Sequence, residues 1–240
     1  MNFDKFCTNL SEYHVVLSQE QQEQFASFYE LLLGWNQVMN LTAITEWEEV
    51  ALKHFLDSLS LFRVLKPEEL LGKKILDLGT GAGFPGIPLS ILLPERKMTL
   101  VDSLQKRVRF LNAVIEALSL SDVTAISGRA EDLARDSLFR EQQDLVVSRA
   151  VAPLSVLSEY CLPFVKIGGF FAAYKSASLD EELQAAEKAI SILGGEVVSR
   201  ETFLLPGSEL SRCILLIQKK KASPKEYPRK AGLPKKKPLL

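Results

Sequence analysis

The stretch ILDLGTGAGFPGIPLSILLP, residues 75–94, decides the fold. ILDL reads as a buried strand, and Gly79, Gly81 and Gly83 follow it at a spacing of two. Glycine at such a turn lets the chain reverse tightly and lets a ligand approach the backbone, because no Cβ stands in the way. Counted from Gly79, the dinucleotide pattern GxGxxG fails at Phe84. Counted from Gly81 it fits formally, but its last glycine, Gly86, lies beyond Pro85, a residue suited to the first turn of a helix. No GK[ST] follows, so the loop is not a P-loop.

Downstream, the pattern alternates between strand and helix. Strands are predicted at 74–78, 98–101, 123–126, 144–147, 169–175, 196–203 and 211–218. Helices are predicted at 85–93, 104–118, 131–135, 153–164 and 179–193. This is an α/β chain with a doubly wound, mostly parallel seven-stranded sheet, whose ligands bind outside the C-terminal ends of the strands. Upstream, residues 18–65 read as helices. QEQQEQFASFYELLLGWNQ places Phe25, Phe28, Leu31, Leu32 and Trp35 near the 3.6 period, and its aromatic residues read as core rather than as platforms for bases. A second helix is expected over TEWEEVALKHFLDSLSLFRVL, stopping before Pro67, with Thr45 as N-cap and Glu48 completing a capping box. The expected division is an N-terminal helical extension (1–70), a sheet domain (71–220) and a C-terminal tail (221–240).

Composition narrows the class further. At 47% hydrophobic and 25% charged, the chain is an ordinary globular one. No apolar run approaches the ~20 residues that span a bilayer. The segment MNFDKFCTNLSEYH lacks the basic and apolar regions of a secretory signal, so a cytoplasmic location and no membrane partner are expected. Cys7, Cys161 and Cys213 are far apart with no CxxC spacing, which argues against a metal site or a disulfide framework. Of the 29 Lys/Arg and 30 Asp/Glu, nine basic residues and one acid lie in residues 219–240. The body is therefore acidic and the tail carries about +8. Prolines at 224, 228, 234 and 238 are expected to keep that tail extended. It is either solvated or a source of phosphate contacts.

DLGTGAG after a strand resembles the first motif of S-adenosylmethionine-dependent methyltransferases of the Rossmann-like class. The second strand ends at Asp102, 19 residues past Gly83, where an acid can accept ribose hydroxyls; NAD proteins share that spacing. The third strand is followed by Gly128-Arg129-Ala130-Glu131-Asp132, which in that class lies beside adenine. VSRAVAP, after the fourth strand, does not match the DPPY or NPPY segment that serves exocyclic amines. A cytosine C5 acceptor needs a nucleophilic cysteine, and Cys161 sits in the apolar EYCLPF. A ring nitrogen such as guanine N7 has a free lone pair and needs neither cysteine nor base.

NLTAIT at 40–45, KHFLDS at 53–58, DLGTGAGFPGIPL and then Ser148-Arg149-Ala150 together resemble the small-subunit (16S) ribosomal RNA guanine-N7 methyltransferase G family, also called glucose-inhibited division protein B. The resemblance runs from about Asn36 to Gln218, and the tail is similar to that family's RxxGxPxKxPL ending. It implies S-adenosyl-L-methionine as cofactor and 16S rRNA or the small ribosomal subunit as partner, with no DNA and no metal. A monomer is the default. Gly79, Gly81 and Phe84 would line the cofactor pocket, Asp102 would hold the ribose, and Ala130 and Glu131 would flank the adenine. Arg149 would face the methionine end or the incoming base. His54 and Asp57, three apart on one helix face, either order the N-terminal helices or touch RNA; Asn40 and Lys53 divide the same way. Lys175, with Arg149, is a candidate at the mouth. Removal of residues 222–240 is expected to impair RNA methylation more than cofactor binding. Two other readings remain: a small-molecule methyltransferase, and a non-catalytic RNA-binding ribosome assembly factor.

Overall fold

The computed structural model describes residues 1–149, 152–176 and 179–239. Ala150 of the SRA segment, with Val151, lies outside the described residues. The strands are β1 Lys74–Leu78, β2 Lys97–Asp102, β3 Val123–Ser127, β4 Gln143–Arg149, β5 Val165–Ser176, β6 Gly195–Leu204 and β7 Ser211–Lys219. They form one sheet in the order β3-β2-β1-β4-β5-β7-β6, with the predicted strands all present. Pairing is parallel up to β5, and β7 runs antiparallel to both β5 and β6. The connections explain this. Helical crossovers permit parallel neighbours, whereas only a short loop joins β6 to β7.

Successive residues of the central strands feed opposite faces. Ile75, Leu145 and Val147 enter one core, and Leu76, Leu78 and Val146 enter the other. The helices are α1 Asp4–Ser11, α2 Gln19–Met39, α3 Trp47–Val50, α4 Asp57–Leu59, α5 Gly86–Leu92, α6 Gln105–Ala117, α7 Ala130–Leu133, α8 Leu154–Cys161, α9 Asp180–Ile192 and α10 Leu233–Lys236. The first core takes α2, α5 and α6, and the second takes α8 and α9. Cys161 is fully buried in the second core, and burial pushes its thiol well above the ordinary value, as suits a packing residue.

The N-terminal third differs from its sequence reading in three ways. First, α1 was not anticipated; it buries Phe6 and Leu10 against the same core. Second, the real capping box belongs to α2: Ser18 Oγ accepts the Gln21 N–H at 3.1 Å and Gln21 Oε1 accepts the Ser18 N–H at 3.0 Å. The expected Thr45–Glu48 box does not form. Glu46 occupies the N-cap of α3 without a side-chain bond, and Thr45 presents its carbonyl to the Tyr29 hydroxyl at 2.9 Å. Third, the expected continuous second helix is broken. A π-turn spans Ala51–Leu56 between α3 and α4, and a 3-10 turn, Ser60–Arg63, follows. Phe6, Phe25, Phe28 and Phe55 cluster beneath these turns, and both Phe28 and Phe55 reach Phe84 of the glycine loop, at 5.3 Å and 6.1 Å between ring centroids. The N-terminal helices therefore share a continuous hydrophobic core with the sheet and the loop.

The tail also departs from expectation. It folds back as a strap along α7 and α8. Arg140 donates to the carbonyls of Ser223 (2.9 Å) and Tyr227 (2.8 Å), and Arg135 donates to Pro228 O (2.6 Å). Lys219 is buried and donates to Leu162 O at 2.8 Å and Ser223 Oγ at 2.5 Å, and burial brings its pKa down to about 8. Arg229 forks onto the fully buried Glu159 through Nε (2.9 Å) and Nη2 (2.6 Å), and the Arg229 N–H adds a third bond at 2.7 Å. The prolines do remove backbone donors. Side-chain forks from the body compensate by binding the strap's carbonyls. Glu159→Ala would leave Arg229 half-buried without a partner. Urea unfolding should show a loss of about 2–4 kcal/mol.

Candidate active site

The glycine loop leaves the C-terminal end of β1. Gly79 and Thr80 donate their N–H groups to Val101 O, at 2.8 Å and 3.1 Å. Two buried carboxylates then fix the turn. Asp77 Oδ2 accepts the Gly86 N–H at 2.8 Å, and Asp102 Oδ2 accepts the Gly81 N–H at 3.1 Å. Gly86 must be glycine because a Cβ there would lie 2.2 Å from Leu100 Cδ2 and 2.8 Å from Asp77 Oδ2. Gly81 has a different reason. Its φ is +63°, and an added Cβ would meet nothing closer than Gly79 O at 4.0 Å. That open space is a cavity of about 770 Å³. Gly79, Gly81, Phe84, Asp102, Ala130, Glu131 and Arg149 all line it, so one cavity gathers every residue the sequence proposed for cofactor contact.

The carboxylates are already partly committed. Asp102 Oδ1 accepts the Leu104 N–H at 2.9 Å, and Oδ2 accepts from Arg107 at 3.2 Å as well as from Gly81. A carboxylate offers about four acceptor positions, so one stays open without movement of Arg107. Asp77 is fully buried, and burial raises its carboxyl to about 7. Its Oδ1 and the neighbouring Thr80 Oγ1 are buried without hydrogen-bond partners. Exposed loop backbone and an open carboxylate position on Asp102 fit a nucleoside-bearing cofactor. Glu131 takes a structural part instead of a free one: its Oε1 accepts the Gly232 N–H of the strap at 2.9 Å.

Arg149, at the C-terminal end of β4, joins this cavity to the N-terminal turns. Its Nη1 donates to Asp57 Oδ2 at 2.9 Å and to Lys53 O at 3.0 Å. The π-turn makes the second bond available. The Asp57 N–H goes to Leu52 O and His54 O, bypassing the Lys53 carbonyl. His54 and Asp57 do share a face, but they do not bond to each other. They meet through Arg149, whose Nη2 lies 3.4 Å from His54 Nδ1. His54 Nε2 pairs with Thr42 Oγ1 at 2.9 Å, and the ring stacks on Phe84 at 4.6 Å between centroids. Asn40, in the left-handed region at φ 49°, ends α2, and Asn36 holds Thr42 through both backbone groups at 2.9 Å. The NLTAIT segment thus serves to place Thr42 on His54. Lys53 itself pairs with Glu49.

A second cleft, of about 530 Å³, lies on the other side of His54 and Arg149 and shares both residues with the cavity. It holds Asp57, Lys175, Tyr174 and Arg212. Lys175 is there and not at the cavity mouth. Its ammonium donates to Glu182 at 2.6 Å and to Ala152 O at 2.8 Å. Arg212 completes the cluster by donating to Asp57 Oδ1 at 3.1 Å.

Residues 21–210 match the family described as "GidB: rRNA small subunit methyltransferase G". The chain belongs to that family. A relative named ribosomal RNA small subunit methyltransferase G, from Lachnoclostridium phytofermentans, is 51% identical and covers 98% of this chain and 96% of its own. Another of the same name, from Bacillus pumilus, is 50% identical over 100% of this chain and 99% of its own. Among solved structures, Pyrococcus horikoshii TYW2 in complex with MeSAdo is similar in fold alone, with TM-score 0.52, 14% identity, and coverage of 69% and 62% of the two chains. Among the described residues no helix is long and apolar enough to cross a membrane, and no three metal-ligating side chains gather.

Arg107, Tyr160 and Arg212 escaped sequence reading. Arg107 stands five residues after Asp102, one turn into α6, and that spacing was an available signal. Tyr160 lines the cavity and Arg212 lines the cleft, from distant segments with no local mark; Lys235, read as one of the tail's phosphate-contact candidates, lines the cavity instead. His54 supplies a test. Burial first, then Arg149, pushes its pKa down from 6.5 to about 4. The folded protein keeps His54 neutral where the unfolded chain binds a proton, so this contribution is present above pH 6.5 and is lost as pH falls toward 4. His54→Gln should therefore lose less stability than wild type between pH 7 and pH 5, measured by urea midpoints. Equal losses would show that the imidazole is not responsible.

Proposed function

We propose that this protein transfers a methyl group from S-adenosyl-L-methionine to N7 of a guanosine in 16S rRNA, acting as a monomer on the small ribosomal subunit or its RNA in the cytoplasm. The observation that carries the reading is the junction at Arg149 and His54. It places a nucleoside-sized cavity and a basic cleft on two sides of one wall, in a chain of a methyltransferase family.

S-adenosylmethionine, when bound, supplies a sulfonium-activated methyl group. Gly79, Gly81, Phe84, Asp102, Ala130, Glu131 and Arg149 would hold it in the cavity, with the Asp102 carboxylate taking a ribose hydroxyl. Protein groups then need only align the acceptor and exclude water. Methyl transfer to N7 would form one N–CH₃ bond for the S–CH₃ bond given up, and the positive charge would pass to the base with no proton to remove. A general base is therefore unnecessary. The neutral, hydrogen-bonded His54 suits a positioning role against the base better than a proton-transfer one. Arg149 and Arg212, fixed by Asp57, and Lys175 would form the polar side of the cleft that admits the base. Phosphate contacts make binding salt-dependent.

Two measurements test this. Gly81→Asp places a charged side chain into the cavity at a left-handed position. It should abolish binding of S-adenosylhomocysteine in calorimetry, and unchanged affinity would sink the cavity assignment. The reaction is tested with methyl-labelled S-adenosylmethionine and, separately, small subunits, large subunits and a metabolite extract from cells lacking the enzyme. Label released from small-subunit RNA as 7-methylguanosine is the expected result. Label confined to the extract would keep the cofactor and overturn the RNA.

A further inference from the structure

The tail's charge suggested an RNA contact, but its placement indicates a different task. Gly232 and Lys235 line the cavity together with Gly128–Glu131 and Tyr160, and the Gly232 N–H bonds Glu131 directly. Nothing else from residues 219–239 reaches it. The approach is held from both directions. Upstream, Arg229 is fixed on Glu159, and both Arg229 Nε and Arg229 N–H bond the same oxygen. At the wall itself, the Gly232 N–H meets Glu131 Oε1, and Glu131 belongs to α7, which follows β3. Gly232 has φ +82° with no atom within 4 Å of an added Cβ, so glycine here serves the turn into α10 and not a packing need. That turn brings Lys235 to the cavity edge. Lys235 is exposed and has no ion-pair partner among the described residues.

We infer that the C-terminal strap is a wall of the cofactor cavity, with Lys235 as a contact for the nucleoside portion of the ligand. The inference rests on the proposed cofactor reading and deepens it. Three residues before Lys235, Gly232 is bonded to Glu131 of the segment after β3, which that reading assigns to adenine. An ammonium there can donate to a ring nitrogen or a ribose oxygen. Glu159 and Arg229 are positioning residues: they touch the strap and do not line the cavity, whereas Glu131 both holds the strap and lines the cavity. The strap makes cofactor binding depend on a segment more than a hundred residues away from the glycine loop in sequence.

The test is calorimetry with S-adenosylhomocysteine in the absence of RNA, on wild type, Lys235→Ala, Lys237→Ala and a chain ending at residue 221, each with a thermal melt. Lys237 is an exposed neighbour that does not line the cavity. Lys235→Ala should melt like wild type and bind about three- to tenfold more weakly, the size of one ordinary net hydrogen bond, because the residue is exposed. Lys237→Ala should bind like wild type. A folded truncated chain should lose more affinity than Lys235→Ala. Wild-type affinity in Lys235→Ala, or in the folded truncation, overturns the inference. So does a pattern in which both lysine variants raise only the KM for RNA. If the truncated chain does not fold, Lys235→Ala decides. Failure of wild type itself to bind would instead remove the cofactor reading on which the inference stands.

Discussion

The guanidinium of Arg149 is the constraint on which the site depends. It is largely buried at the end of β4, so its charge must be met by fixed acceptors. Asp57, the Lys53 carbonyl and the Phe84 ring face at 5.2 Å meet it from different directions. Satisfying one cation therefore locks the π-turn, α4 and the glycine loop against the sheet. Arg212 anchors the second oxygen of Asp57, so the carboxylate cannot turn away. The partition between cavity and cleft follows directly. It is the set of side chains that cannot move without leaving a buried charge unpaired.

The same logic governs the glycine loop and the strap. Asp77 and Asp102 each accept a loop N–H, so the loop is shaped before any ligand arrives. Asp77 remains fully buried at a cost shown by its raised pKa. Glu159, also fully buried, orders the strap through Arg229. In each case an acid in an apolar setting fixes a segment that has little apolar surface of its own. Hydrophobic burial sets the two cores, and buried carboxylates set the irregular segments between them.

Much of this was legible along the chain. Strand positions were readable because β1, β2 and β4 are short apolar runs, and a buried parallel strand needs little else. The glycine loop was readable because its spacing answers to a local geometric demand. The second helix was misread because VALKHFLDSL keeps helical periodicity through a segment that forms a π-turn. The choice there is made by the Lys53 carbonyl and Arg149, which are 96 residues apart. Thr45 looked like a cap because Glu48 stood three residues on, but the Tyr29 hydroxyl takes its carbonyl instead. Glu159, inside the apolar SVLSEYCLPF, was not singled out in the sequence, although a lone acid in such a run needs a buried partner. Its partner, Arg229, could not be identified without the fold.

By itself, the sequence determined the α/β order, the strand that carries the glycine loop, the acid at the end of β2 and the kind of ligand such a loop can approach. These depend on periodicity and on backbone allowances, which act over a few residues. Tertiary structure alone decided that His54 and Asp57 meet through Arg149, that Arg212 joins them, and that the basic tail is a strap beside Glu131. Charge composition counts cations but says nothing of which are matched. Arg229 and Lys219 are spent on buried partners, and that pairing exists only once distant segments have been packed together.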